Sequence, residues 1–253
     1  MVRSQCGSAD AADSRRAVDE SSRLQRVAWT VAIAGAVALH GIILVNVSEH
    51  ADLLQWWVPV SWLAGVVAAD FASGLIHWAA DTWGRADLPV IGPRLLLPFR
   101  VHHLYPEDFL GRRFLDTNGD VAALTLPVLL GLFFMPRDTA WQHAISVFGL
   151  GFSAMGMMTN QIHQWAHTDS PPLPVKVLQN LGLLLGPRAH ATHHHRPYDA
   201  HYCITTGWCN RPLEAIGFFA RLEVVITRLT GAIPRQDERP SCSPANHAQR
   251  GAA

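Results

Sequence analysis

Three short stretches of this chain concentrate imidazole side chains at spacings that suit a metal. In TNQIHQWAHT, His163 and His167 stand four residues apart, so on a helix they share a face and can hold one ion. In RAHATHHHRPYDAHYC, His190, His193 and His194 form an H-x-x-H-H box, whose three rings are expected to converge on one side of a helical turn. FRVHH supplies His102 and His103, an adjacent pair able to point at two different metals or, from a loop, at one. DFASGLIHWAADTWG places Asp70, Gly74, His77 and Asp81 at offsets of four, three and four. That spacing is one helical face with a glycine that lets another helix come close.

Any one of these histidines read alone is best taken as a hydrogen-bonding side chain. His40, His50, His143 and His247 are read that way, and His195 and His201 fall outside the box register. Eight in spaced clusters are different: His77, His102, His103, His163, His167, His190, His193 and His194. Ionisable groups near bilayer depth are expensive and usually functional, so these eight are expected to bind metal. Eight ligands exceed one tetrahedral site, and a two-metal centre is the natural count. Asp70 and Asp81 are either ligands or acceptors that fix the tautomer of a ligating histidine. The second role is favoured because the histidines already fill the shell.

The elements that position these residues are membrane helices. Of the 253 residues, 49% are hydrophobic and only 16% charged, against roughly 25% charged in soluble domains. Val27–Val47 carries no Asp, Glu, Lys or Arg and is long enough to cross a bilayer; it starts too deep in the chain and runs too long for a cleaved signal core. A second uncharged run spans Leu53–Ala69 and continues past Asp70. A third, Val121–Pro136, contains Pro127, and a fourth lies within Thr139–Thr168. VKVLQNLGLLLG, Val175–Gly186, is too short to span and reads as a helix at or dipping into the interface. The expected fold is therefore all-α, a polytopic membrane protein of about four transmembrane helices occupying residues 23–235. Polar tails at 1–22 and 236–253 read as disordered.

Basic residues orient it. Five lie before Val27, five between Arg85 and Arg113, nine after Thr168, and Arg137 is alone on the other side. The positive-inside rule then puts both termini in the cytoplasm, in the inner membrane if the host is bacterial, and brings every histidine motif to the cytoplasmic face. Trp56, Trp57, Trp78 and Trp83 flank the second span as interface anchors, and Trp165 sits within the His163–His167 turn, where it can pack the site.

Several functions are excluded. Lys+Arg 20 balances Asp+Glu 20, so there is no basic excess for nucleic acid. The four cysteines make no C-x-x-C pair, which argues for reduced, structural thiols. No G-x-S-x-G, G-x-x-x-x-G-K-[ST] or G-x-G-x-x-G motif occurs. What a membrane offers such a centre is lipid tails, whose strong C–H bonds no side-chain acid or base can break, so nitrogen-held iron with dioxygen as co-substrate is the expected chemistry. The electrons must come from an external transfer protein of cytochrome b or ferredoxin type. The rival readings are a metal-binding membrane adaptor or carrier without turnover and a zinc hydrolase acting on lipid amides. Transport is disfavoured, since transporters place ligands at the midplane.

ADFASGLIHWAADTWG, PFRVHH, DTNGD, TNQIHQWAHT, the H-x-x-H-H box and CITTGW followed by NRPLE occur in this order between about Trp62 and Arg235. In these strings the chain resembles the CarF-like lipid desaturase family, which contains the plasmanylethanolamine desaturases and a plant chloroplast phosphatidylglycerol desaturase. The resemblance implies a histidine-rich membrane enzyme with two irons, the same eight histidines as its metal positions, and a membrane phospholipid as substrate. The expected reaction is oxygen-dependent formation of the vinyl ether of a plasmalogen from an alkyl ether phospholipid. The alternative within the family is desaturation or hydroxylation of an acyl phospholipid. Tyr198 stands where the animal branch has histidine and the plant branch tyrosine, so the family is better defined than the substrate. CITTGW has no chemistry of its own on this reading.

Overall fold

The first two uncharged runs form the two longest helices, α1 (Arg23–His50) and α2 (Trp57–Thr82), both long and apolar enough to cross a membrane. The structure is a computed structural model that describes residues 22–50, 54–85 and 87–235, and no strand occurs among them. The expected tails, apart from Ser22, lie outside the described residues. After α2 come a π-helical turn (Gly92–Leu96), α3 (Leu97–Leu104), a 3-10 turn (Pro106–Phe109), α4 (Phe114–Phe133), α5 (Ala140–Met157) and α6 (Thr159–Ala166). The C-terminal part adds α7 (Leu173–Asn180), α8 (Pro187–Ala191), α9 (Asn210–Ala215) and α10 (Phe218–Thr230).

Three sequence expectations shift. The third run is a helix that starts earlier, at Phe114, because the polar DTNGD string satisfies itself within it: Thr117 Oγ1 donates to Arg113 O and Asn118 Nδ2 to Phe114 O. Pro127 sits inside α4 without ending it. The fourth run breaks at Met158 into α5 and α6. There Asn118 Oδ1 accepts from Gln161 N and Asn160 Nδ2 donates to Thr117 O, tying α6 to the start of α4. Val175–Gly186 is not one helix: α7 ends at Asn180 and turns follow.

α1 packs on α4, α2 on α5, and α4 on α5. Ala36, Ile43 and Val47 of α1 meet Leu129 and Leu132 of α4 and Val147 and Leu150 of α5 in the main apolar cluster. Glycine sets the α2–α5 spacing. A Cβ at Gly65 would overlap the Phe148 carbonyl, and one at Gly151 would meet the Trp62 carbonyl, so these backbones touch where a side chain would hold them apart. Trp56 is exposed as an anchor should be, but Trp78 is buried against Trp83 and Phe219, because the start of α10 covers it.

Candidate metal centre

Helix α2 points His77 and Asp81 inward one turn apart, α3 brings His102 and His103, α6 brings His163 with His167 capping its end, and α8 with the following turn brings His190, His193 and His194. All eight histidines meet in one centre, divided into two groups. His102, His163, His167, His190 and His194 form one; His77, Asp81, His103 and His193 form the other, and within each group the candidate ligand atoms lie within 4.8 Å of one another. The groups adjoin, since rings that belong to different groups, His193–His194, His103–His194 and His77–His163, have centroids 5.6, 5.7 and 6.0 Å apart.

The H-x-x-H-H box therefore does not act as one unit. Its backbone leaves the helix after Ala191, so His193 and His194 turn to opposite groups. His102 and His103, adjacent on a helix rather than on a loop, divide in the same way.

Inside the five-histidine group, His190 Nε2 lies 2.8, 2.7 and 3.0 Å from the Nε2 atoms of His163, His167 and His194, and His194 Nε2 lies 3.1 Å from that of His102. A single N–H can serve only one of His190's three neighbours; in the other contacts lone pair faces lone pair, an arrangement a cation resolves. At metal–nitrogen bonds of about 2.0–2.1 Å, neighbouring ligand nitrogens stand about 2.9–3.4 Å apart, close to the spacing seen. In the second group His103 Nε2 and His193 Nε2 are 2.9 Å apart. Asp81 Oδ2 lies 3.3, 3.6 and 3.7 Å from the Nε2 atoms of His77, His103 and His193. The residues fit bound metal.

Two backbone carbonyls set the ring orientation. His77 Nδ1 is 3.0 Å from Tyr202 O and His193 Nδ1 is 2.8 Å from Ala200 O. A carbonyl can only accept, so both Nδ1 atoms carry the proton and both Nε2 atoms present a lone pair. This is the tautomer-fixing role expected of the two aspartates, performed instead by the chain just before CITTGW. Asp81 faces the Nε2 side, among the ligand atoms.

Asp70 touches no histidine. Fully buried three turns before Asp81, it accepts through Oδ1 from the N–H groups of Thr205, Thr206 and Gly207 and from Thr205 Oγ1, and through Oδ2 from Cys209 N. Its role is to hold the 205–209 loop. Ser73 Oγ accepts from Ile204 N, and Asn210 clamps Cys203 through both its N–H and its carbonyl. Gly74 admits a close neighbour as expected, but the neighbour is Cys203 of this loop, not a helix. Sequence reasoning left CITTGW without a purpose because its contribution is made by backbone atoms, which residue types do not reveal.

His195 and His201 stay outside both groups. His195 Nδ1 donates to Ala191 O, while His201 Nε2 pairs with Glu214 at 2.9 Å. His40 bridges Ala36 O and Ser153 Oγ within the bundle. Tyr198 stacks on His103 with ring centroids 4.7 Å apart. Trp165 packs beside Ile162, Ala166, Leu185 and Ile204 beneath the centre.

Burial, and then the neighbouring imidazoles, push His102, His190 and His193 well below the ordinary imidazole range. The same causes lower His167 from 6.5 to about 4 and His194 to about 3. These rings are neutral at neutral pH, with no proton to release before a metal could bind. The unfolded chain, with histidines near 6.5, binds more protons than the folded one at any pH between that value and the lowered ones. Metal-free protein is therefore expected to have its full histidine contribution above pH 6.5 and to lose it as pH falls through the window down to about 4 for His167 and about 3 for His194. Thermal unfolding of chelator-treated protein at stepped pH measures this; a melting temperature flat across the window would refute it.

Among the described residues, an all-helical bundle with two helices long and apolar enough to cross a membrane and a buried, histidine-rich centre able to bind metal ions defines the class of fold and site. Within that class the chain belongs to the lipid desaturase domain family, whose model matches residues 66–237. It is 42% identical over 184 residues to the plasmanylethanolamine desaturase of Myxococcus xanthus, covering 72% of this chain and 65% of that one. It is also 42% identical over 200 residues to mouse plasmanylethanolamine desaturase 1, covering 75% and 74%. Against the chloroplast fatty acid desaturase 4 of Arabidopsis thaliana, identity is 33% over 180 residues, 70% of this chain and 54% of that one. The match thus spans just under two thirds of the Myxococcus protein's length. No solved structure matches the chain.

Proposed function

We propose that this protein is an oxygen-dependent lipid desaturase of the membrane that holds two iron ions and forms the vinyl ether of a plasmalogen from an alkyl ether phospholipid. The observation that carries this reading is the pairing of two adjoining ligand sets, five histidines in one and His77, Asp81, His103 and His193 in the other. Its substrate side rests on the 42% identity to two relatives named plasmanylethanolamine desaturase. In this reading the eight histidines and Asp81 are ligands, and the Tyr202 and Ala200 carbonyls aim His77 and His193. Bound iron supplies, with dioxygen and two electrons from an external cytochrome b or ferredoxin type donor, the oxidising power to remove two hydrogens from an unactivated C–H pair. The chain's own residues do the rest: they fix the ligand geometry and bury the centre away from bulk water.

The four long helices α1, α2, α4 and α5 cross the membrane in this reading, with both termini cytoplasmic. α4 has 20 residues and α5 has 18, about 30 and 27 Å of helix, close to the thickness of the hydrocarbon core. His77 then lies near the cytoplasmic end of α2, level with the carbons just below a phospholipid headgroup. An oxidant held there reaches the first carbons of a chain without a deep tunnel.

The test is expression in a bacterium that lacks plasmalogens, fed a 1-alkyl ether lipid precursor in air, with lipids assayed for acid-labile vinyl ether. Vinyl ether that vanishes without oxygen and in the His163→Ala variant is the expected result; full product from His163→Ala would sink the metal assignment. A second reading, desaturation of an acyl phospholipid, is favoured by Tyr198 on His103 and by the plant relatives named fatty acid desaturases. Iron in the purified protein with new acyl double bonds and no vinyl ether would select it.

A further inference from the structure

We infer that the Val177–Leu185 segment, together with the Thr205–Cys209 loop, is a leaflet-inserted element whose leucines and Trp208 contact lipid acyl chains on the side of the membrane that carries the metal centre. The inference rests on the reading of α2 as a membrane span.

Depth follows from the register on α2. A hydrocarbon core of about 30 Å takes up about 20 helical residues, and counting from Trp57 reaches Ile76, beside His77. Asp70 lies six residues inside that edge, or about 9 Å toward the bilayer centre. Because Asp70 accepts directly from Thr205, Thr206, Gly207 and Cys209, the loop itself is fixed at that depth. The turn after α7 is fixed to the loop in its turn: Leu185 N donates to Thr205 O at 2.7 Å and Trp208 Nε1 to Gly182 O at 2.6 Å.

The chemistry of the element suits hydrocarbon. From Val177 to Pro187 and from Tyr202 to Asn210 there is no charged residue. Leu181 is 66% exposed, Leu183 44%, Val177 46% and Trp208 37%, an open apolar face continuous with exposed Val67 of α2, whose carbonyl receives the Cys209 thiol. Every backbone N–H from Leu181 to Leu185 is donated inside the protein. Non-helical backbone at membrane depth is tolerated where it is buried in protein, and these five N–H groups take no partner from water. The 18 residues of this sequence after Arg235 contain no Leu, Ile, Val, Phe or Trp. Lipid is the occupant that matches the face.

Depth measurement by nitroxide labelling tests this. On a background with Cys6, Cys209 and Cys242 changed to Ser, the variants Leu183→Cys, Leu181→Cys, Leu63→Cys and His195→Cys are labelled singly and reconstituted in nanodiscs of phosphatidylethanolamine and phosphatidylglycerol. Collision with oxygen is then compared with collision with a water-soluble nickel chelate. The oxygen-to-nickel ratio at positions 183 and 181 is expected to match that at 63 and to exceed that at 195 roughly tenfold, as for side chains immersed below the headgroups. Ratios at 181 and 183 that match position 195, or that report headgroup depth, overturn the inference while a lipid-like value at 63 leaves the span intact. A water-like value at 63 instead overturns the spanning reading, and the inference with it.

Discussion

On the two-iron reading proposed above, Asp81→Asn is expected to yield folded protein that binds one iron per chain instead of two. Of the nine candidate ligand side chains, eight are imidazoles and Asp81 is the one carboxylate. Two adjoining dications repel each other strongly in a buried site, and a carboxylate facing three Nε2 atoms at 3.3 to 3.7 Å is the one group that offsets part of that charge. The amide keeps the shape and loses the charge, so packing around α2 should survive and the His77–His103–His193 set should fail. Product formation is expected to fall about a hundredfold or more, beyond the usual loss for a group that only supports a ligand. Metal analysis of purified protein beside its melting temperature separates the outcomes: two irons retained with an unchanged melting temperature would remove Asp81 from the ligand set.

Asp70→Ala is expected to be the most damaging single change away from the metal. It strips acceptors from four backbone N–H groups and the Thr205 hydroxyl, all satisfied by one buried carboxylate. Breaking a buried charged network from one side costs about 3–5 kcal/mol, which is most of the stability of many domains. Little folded Asp70→Ala protein should accumulate. Asp70→Asn retains an acceptor oxygen for part of the loop, and it is expected to fold with a lowered melting temperature. Its informative readout is metal retention. The loop begins at Tyr202, whose carbonyl holds His77, so a loosened loop should release iron from the second set before the first. Wild-type iron content in Asp70→Asn, at a reduced melting temperature, would show that the loop is structural support without influence on the centre.

Much of the site was legible in the sequence because imidazoles are rare enough, and their spacing constrained enough, for eight clustered histidines to have one economical explanation. The helical class was legible for the same kind of reason: uncharged runs of membrane length have few stable forms other than helix. Boundaries were less so. The DTNGD string looks like a loop by composition, yet Asn118 and Thr117 satisfy their side chains within α4 and against α6. The break at Met158 leaves no mark in charge, since both sides of it are uncharged.

The two aspartates show where residue type stops being informative. Both sit on α2 at helical offsets from His77, and one reading covered both: acceptors behind the ligands. Three turns of helix separate them, and what packs against each turn differs. Asp70 meets the backbone of the 205–209 loop and Asp81 meets three imidazoles. The chain by itself pointed to the residues able to hold a metal, and to helices that would bring them together. Only the tertiary structure decided that His102 parts from His103 and His193 from His194, that Asp81 stands with the ligands, and that Tyr202 and Ala200 set the rings through their carbonyls. The reason is physical: spacing fixes neighbours within one helix, whereas the partition of a centre between two groups depends on how four separate segments approach one another, and backbone carbonyls are present in every residue alike.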